Sequence, residues 1–146
     1  MDTVIIEIII EENVKRVWQA LTEKDQLRQW FFDVTDFKPV TGFEFDFPGE
    51  GHAGKKYTHL CKILEVSPFK KIKYSWQYSG VKGYSAVLFE LFPEGAGRTR
   101  LRLFHDGINT FPQDDFDFSS ESFGDGWTEI VTKMLPAYFM KSKISR

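Results

Sequence analysis

The 146-residue sequence contains a single cysteine, Cys61, so it cannot form an internal disulfide. Structural disulfides are typical of oxidising compartments, and their absence favours a reducing one. The sequence also lacks a basic n-region followed by an apolar h-region and a cleavage site, which is the pattern of a secretory leader. We therefore expect a soluble cytoplasmic protein.

The sequence also lacks a strong excess of charge of either sign. It has 19 basic and 21 acidic residues, which leaves a formal net charge of −2. Proteins that bind nucleic acid neutralise its phosphates with clustered Lys and Arg, so this balance predicts no nucleic-acid partner. The apolar stretch at residues 4–10 is interrupted by Glu7 and is too short to span a bilayer. We therefore expect no membrane insertion.

Motifs for metals and nucleotides are missing. His52, His59 and His105 are the three histidines, and no pair of them has the helical or short-loop spacing of metal ligands. Residues 49–54 match G-x-G-x-x-G, but strand-like residues 56–61 follow where a phosphate-binding loop needs a helix. We interpret residues 49–54 as a hairpin loop and predict neither a metal nor a cofactor.

Four acidic residues precede the last predicted helix: Asp114, Asp115, Asp117 and Glu121. Their spacing lacks the glycine and the terminal glutamate of a calcium-binding loop. Negative charge at the start of a helix complements the helix dipole, and we interpret the cluster in that way.

Aromatic residues are abundant, at 16% of the chain with 15 Phe. An amphipathic helix is predicted over residues 119–142, because apolar residues recur there at steps of three and four. Those apolar residues are Phe123, Trp127, Ile130, Val131, Met134, Leu135, Tyr138 and Phe139. Pro136 lacks a backbone donor and should kink this helix near its third turn.

The rest of the chain predicts one antiparallel sheet and two short helices. Residues 3–10 read as a β-branched strand, Asn13 as the cap of the first helix, and residues 22–25 as a capping box that opens the second. Period-two alternation then predicts strands at residues 34–38, 43–47, 56–66, 71–78, 84–92 and 99–105. Short turns make these strands an antiparallel meander, and the last helix must cover one face of it. We predict an α+β fold in a single domain of residues 1–146.

Two sets of apolar side chains are predicted to converge on the space between the sheet and the last helix. Alternation turns Phe43, Phe45, Phe47, Trp76 and Phe89 towards it from the strands, and Trp127, Val131 and Leu135 face it from the apolar side of the helix. If these side chains fill the space they form a core, and if they leave it partly open they form an apolar pocket. His105 and His59 face the same way, either as hydrogen-bonded core histidines or as groups that contact a ligand or move a proton. Cys61 has no base beside it, and no nucleophile triad is visible, so no catalytic residue is predicted.

Several segments, in the right order, resemble the motifs of one known family. They are residues 17–22 with residues 30–31, residues 42–45, residues 63–68, residues 72–76, residues 97–101 with His105 and Gly107, and residues 126–127. On these motifs the chain is similar to the family related to the activator of heat-shock protein 90 ATPase, within the START-like and Bet v 1-like (SRPBCC) superfamily. The resemblance implies the helix-grip fold, which is a curved antiparallel sheet around a long C-terminal helix with two short helices after the first strand.

The leading functional hypothesis is that a hydrophobic or aromatic small molecule binds in the cavity between the sheet and the C-terminal helix. The resemblance implies this function because stand-alone relatives look like small-ligand binders. The predicted site residues are Trp30, Phe45, His59, Tyr74, Trp76, Phe89, His105, Trp127 and Val131. The histidines and Tyr74 would orient the ligand by hydrogen bonds, and the others would supply apolar area.

Two alternatives remain. The resemblance also implies a stress-linked co-chaperone with a chaperone partner, although a separate N-terminal domain makes the main chaperone contact in the eukaryotic activator. The other alternative is a cyclase- or hydrolase-type enzyme that uses the same pocket, with His105 as acid or base. The enzyme ranks last because no paired acid–base constellation is visible.

Overall fold

The computed structural model describes residues 3–144, so the outermost residues of the predicted 1–146 domain, 1–2 and 145–146, lie outside the described part. A strand, two short helices, five strands and a long interrupted helix follow one another. They are β1 (Thr3–Ile10), α1 (Val14–Thr22), α2 (Lys24–Trp30), β2 (Glu44–Glu50), β3 (Lys56–Ser67), β4 (Lys71–Tyr78), β5 (Ser85–Pro93), β6 (Thr99–Asp106), α3 (Ser120–Glu129), a π-helical turn (Ile130–Met134) and α4 (Leu135–Ile144).

The strands form one antiparallel, curved sheet in the order β1-β6-β5-β4-β3-β2. Each of β2 to β6 pairs with its neighbour in sequence, and β1 closes the order by pairing with β6. The predicted meander and the long C-terminal helix against it are therefore confirmed. A register shift between Ile63 and Glu65 interrupts the pairing of β3 with β4.

The predicted alternation sets the inner face of the sheet. On β4 and β6 every inward residue is buried, from Ile72 to Tyr78 and from Thr99 to His105. On β2, Phe45 and Phe47 are buried, whereas Phe43 lies before the strand and is half-buried. The core therefore lies between this face of the sheet and the helices.

Two local predictions are wrong. Residues 34–38 form no strand, because the backbone makes short-range bonds instead, such as the one from the Val34 N–H to the Phe32 carbonyl. Residues 22–25 form no capping box: the Thr22 hydroxyl donates to the Trp18 carbonyl at 2.7 Å, four residues back in α1, and no side chain caps α2. Thr22 is the last residue of α1, so its hydroxyl can bond to the carbonyl four residues back. A hydroxyl that makes this bond is not available to cap the next helix. The Asn13 cap is confirmed by its bond from the Arg16 N–H at 2.8 Å.

The irregularity predicted from Pro136 is a π-helical turn directly before the proline. The Leu135 N–H donates to the Ile130 carbonyl, five residues back. Pro136 has no N–H and cannot make the usual helical hydrogen bond to the carbonyl four residues back. The π-helical turn lies just before it, and the helix continues past it in α4. Within residues 3–144, no helix combines the length and the apolar character needed to cross a membrane.

The Trp30 indole supplies a test of how α2 is held against α1. Its N–H donates to the Ala20 carbonyl at 2.9 Å, and the side chain is only 2% exposed. We predict that Trp30→Phe lowers the free energy of unfolding by about 1–3 kcal/mol more than Trp18→Phe, because it leaves a buried carbonyl without a partner. Urea unfolding curves of both variants measure the difference.

Trp18 is the matched control, since it is also buried but its indole N–H makes no hydrogen bond within residues 3–144. Equal losses of stability in the two variants would show that the Trp30 hydrogen bond contributes nothing beyond ring packing.

Candidate functional site

A buried hydrogen-bonded chain, called here the His105 relay, ties the last helix to three strands. The Trp127 indole N–H donates to His105 Nδ1 at 2.9 Å, and His105 Nε2 lies 2.8 Å from Ser85 Oγ. The Ser85 hydroxyl in turn donates to the Trp76 carbonyl at 2.7 Å. An indole can only donate, so Nδ1 must be unprotonated and the ring proton must lie on Nε2.

Burial keeps His105 neutral. Its side chain is fully buried, and this burial lowers its pKa to about 3, against a smaller opposing effect of Asp106. Both ring nitrogens already have partners inside the relay, and His105 does not line the cavity described next. Its geometry is that of a hydrogen-bonded core histidine.

An open cavity of about 240 Å³ lies at one end of the space between sheet and helix. Its walls come from β3, β4, α3, the 3₁₀ turn Phe116–Phe118 and the loop between β2 and β3. The aromatic carbon rings on its walls belong to Tyr57, Trp76, Tyr78, Phe118, Phe123 and Trp127. The polar side chains other than the tyrosines are Glu50, His52, His59, Asp117 and Ser122.

The structure brings only part of the predicted site to this cavity. His59, Trp76 and Trp127 line it. The other predicted site residues are buried away from its walls: Trp30, Phe45, Tyr74, Phe89, His105 and Val131. Tyr78, Phe123 and the rest of the wall were missed, although Tyr78 shares the predicted inward face of β4 with Trp76.

Two phenylalanines after α2 fill the other end of the space. Phe32 stacks on Phe47 with ring centroids 4.3 Å apart and on Phe45 at 5.7 Å. Phe31 meets the Trp127 ring edge-on at 5.6 Å and the Phe89 ring at 6.2 Å. Aromatic side chains therefore fill this end of the space, and the cavity beside Trp76 lies beyond Trp127.

His59 presents a neutral ring to the cavity. It stacks on Phe47 at 4.3 Å, and its Nδ1 lies 3.3 Å from the Phe47 carbonyl. Burial lowers the pKa of His59 to about 4, while the bond to the carbonyl acts in the opposite direction. Because a carbonyl only accepts, the ring proton lies on Nδ1, and Nε2 is left as an acceptor with no partner within residues 3–144.

Asp117 fastens the loop between β2 and β3 to the segment before α3. Its carboxylate accepts the His52 backbone N–H at 2.5 Å and the Tyr57 hydroxyl at 2.6 Å. Burial, together with Asp117, raises the pKa of Tyr57 above its usual range. A Cβ at Gly51 would collide with this carboxylate and with the Tyr57 ring, so the close approach requires glycine there. No sequence signal could have shown this contact, because its partners lie about 60 residues apart in the chain.

The glycine-rich segment and the acidic cluster take the following conformations. Gly49 and Glu50 still belong to β2, and residues 51–55 form the hairpin loop with a 3₁₀ turn, His52–Gly54. β3 follows directly, where a nucleotide loop would need a helix. Asp115 caps the turn Phe116–Phe118 by accepting the Asp117 N–H at 3.0 Å, and Glu121 lies in the first turn of α3. In the described part of the chain, no group of three or more His, Cys, Asp or Glu side chains could hold a metal ion.

Comparison with known proteins assigns a family. The family model described as Activator of Hsp90 ATPase homolog 1-like protein matches residues 12–140. The crystal structure of MLL2253 from Mesorhizobium loti is 26% identical, with a TM-score of 0.74 over 95% of this chain and 97% of that chain. CalU16 from Micromonospora echinospora is also 26% identical, with a TM-score of 0.72 over 98% and 79% of the two chains.

A further similar structure is DynU16, a protein in the dynemicin biosynthetic locus. It is 21% identical, with a TM-score of 0.77 over 97% of this chain, which shows a shared fold. This chain spans only 48% of the length of DynU16. Among curated proteins, none matches this chain.

The His105 relay predicts how stability depends on pH. The unfolded chain protonates this histidine near pH 6.5, whereas the folded protein does so only at about 3. The unfolded state then binds more protons, so stability is fully present above about pH 6.5 and falls as the pH falls below it. By about pH 5, we expect a loss of about 2 kcal/mol from His105 alone, measured by urea unfolding at a series of pH values.

His105→Gln is the comparison variant for this prediction. It should be less stable than the wild type near neutral pH, but it should lose less stability between about pH 7 and about pH 5. His59, whose pKa is also lowered, contributes a loss of the same sign in both proteins and cancels in the comparison. An identical pH dependence in the two proteins would contradict a buried, neutral His105.

Proposed function

This chain belongs to the Activator of Hsp90 ATPase homolog 1-like family, and we propose that it binds a small hydrophobic or aromatic molecule in the cavity beside Trp76 and Trp127. The observation that carries the proposal is that six aromatic rings wall this cavity, with polar side chains such as His59 and Asp117 among them. Such a lining is the usual form of a small-molecule site, in which apolar area supplies affinity and the polar groups orient the ligand.

The volume of the cavity limits the size of the ligand. At about 240 Å³ it is smaller than most ligand pockets, which begin at roughly 300 Å³. It nevertheless exceeds the roughly 150 Å³ of an engineered apolar cavity that takes up benzene. A molecule of one or two rings fits this space, with its outer end at the solvent-exposed mouth.

The walls of the cavity are held in place before any ligand arrives. The Trp76 and Trp127 rings lie 5.2 Å apart, and each belongs to a residue of the His105 relay. The Trp76 indole N–H donates in addition to the Tyr78 hydroxyl at 2.8 Å. Walls that are already ordered lose little conformational entropy on binding, which favours affinity for a small ligand.

The co-chaperone and enzyme alternatives stay predictions. Family membership by itself supports a protein partner as readily as a ligand, since one fold carries many functions. For the enzyme alternative, His105 is a poor acid or base, because both of its ring nitrogens are engaged in the relay and burial holds its pKa at about 3. The aromatic cavity therefore favours ligand binding over both.

Gly126 offers a way to fill the cavity without disturbing the backbone. It lies on the cavity wall in α3, and a Cβ added there would meet nothing within 4 Å. We predict that Gly126→Leu weakens binding of naphthylmethanol at least about tenfold by occupying its space, as measured by isothermal titration calorimetry. The same change should raise the free energy of unfolding by about 0.5–1 kcal/mol, because it removes a glycine from a helix.

Gly124→Leu is the matched control, because Gly124 lies in the same helix, has the same free space at Cβ and does not line the cavity. It should gain stability in the same way and bind the probe like the wild type. Unchanged binding by Gly126→Leu, or no binding by the wild type, would overturn the proposed site.

A further inference from the structure

The cavity wall is richer in negative charge and in acceptors than its apolar character suggests. It includes the carboxylates of Glu50 and Asp117, and within residues 3–144 no lysine or arginine lines it. Glu50 is more than half exposed to water and forms an ion pair with Lys56 there, so solvent and the lysine screen its charge. The electrostatic character of the cavity therefore depends mainly on Asp117.

The charge of Asp117 has no cationic partner in the described part of the chain. Both of its hydrogen-bond donors, the His52 backbone N–H and the Tyr57 hydroxyl, are neutral groups. They fix the direction of the carboxylate at the cavity wall but leave its negative charge uncompensated. A cation bound in the cavity would compensate it.

The rings around Asp117 favour the same kind of ligand. The faces of Trp and Tyr rings are negative and attract ammonium groups, most strongly where water is excluded. At the rim, the Lys55 ammonium already lies 5.4 Å from the centre of the Tyr57 ring. Inside the cavity, the Trp76, Tyr78 and Trp127 rings give the ring system of such a ligand an aromatic surface to pack against.

His59 adds an acceptor to this set. Its proton lies on the nitrogen that meets the Phe47 carbonyl, so the other nitrogen presents a lone pair to a donor. The hydroxyls of Tyr78 and Ser122 can either donate or accept a hydrogen bond, so they are compatible with a cationic ligand and with an anionic one. An anionic ligand finds less support, because the start of α3 is already capped by the Ser119 hydroxyl at 3.1 Å from the Ser122 N–H.

We propose that the natural ligand is an aromatic amine or a related organic cation of one or two rings. Its rings pack against Trp76 and Trp127, and its ammonium group lies at the mouth beside Asp117. This inference rests on the proposed function and narrows it to one class of ligand.

Three probes with the same ring system test the charge preference: naphthylmethylammonium, naphthylmethanol and naphthoate. Calorimetry at neutral pH on the wild type should show the cation binding at least about fivefold more tightly than the alcohol, with the anion weakest. Asp117→Asn keeps an acceptor for the His52 N–H but removes the charge, and it should bring the cation to within about twofold of the alcohol. Asp125→Asn removes a charge from the exposed face of α3 outside the cavity and should leave the preference unchanged.

The outcomes separate this inference from the proposal on which it rests. If the alcohol or the anion binds the wild type as tightly as the cation, the charge preference is wrong, while ligand binding in the cavity stands. If the cation is preferred equally by the wild type and Asp117→Asn, Asp117 is not its source and the inference is overturned. If no probe binds the wild type, the proposed function itself fails.

Discussion

The hydrogen bonds of the His105 relay join α3 to β6, β5 and β4 through the middle of the core. Every polar atom in the His105 relay has a partner, from the Trp127 indole to the Trp76 carbonyl. A satisfied buried network of this kind is cooperative, and loss of one member leaves the others unpaired at a cost of about 1–3 kcal/mol each. The His105 relay sets the distance between α3 and the sheet. This distance in turn sets the width of the cavity beside Trp76 and Trp127.

The space between helix and sheet is filled differently on the two sides of the His105 relay. On one side Phe31 and Phe32 enter from the end of α2 and pack against Phe89, Phe45 and Phe47. On the other side α3 contributes Gly126 to the cavity wall, where a Cβ would meet nothing within 4 Å. The hydrogen bonds of Asp117 to His52 and Tyr57 fix the loop between β2 and β3 beside the cavity. The cavity is thus a consequence of where large side chains are absent.

Much of the fold could be predicted from local pattern. Alternation on β4 and β6 and the Asn13 cap each have a physical effect within a few residues, and each has the predicted outcome. Residues 34–38 show the limit of this reasoning. Val34 and Phe37 are both buried, but their apolar character cannot show whether a neighbouring strand is there to pair with them.

The candidate site could be predicted only in part, for a related reason. Alternation predicts that Trp76 and His59 point inward, and helical spacing predicts the same for Trp127. Alternation does not predict whether an inward side chain lines a cavity or lies in the packed core. Phe89 and Tyr74 were therefore predicted as site residues too, although both are buried in the packed core. The contact of Asp117 with the β2–β3 loop joins segments that only the folded chain brings together.

The position of the cavity is tested most directly by proton–nitrogen correlation spectra of the four tryptophan indole groups. Their signals, assigned by single Trp→Phe variants, would be followed while naphthylmethylammonium is added. The Trp76 and Trp127 signals should shift, because their rings line the cavity, and those of Trp18 and Trp30 should stay in place. A shift of the Trp30 signal, or no shift in any indole at a probe concentration that saturates binding, would contradict binding in the cavity beside Trp76 and Trp127.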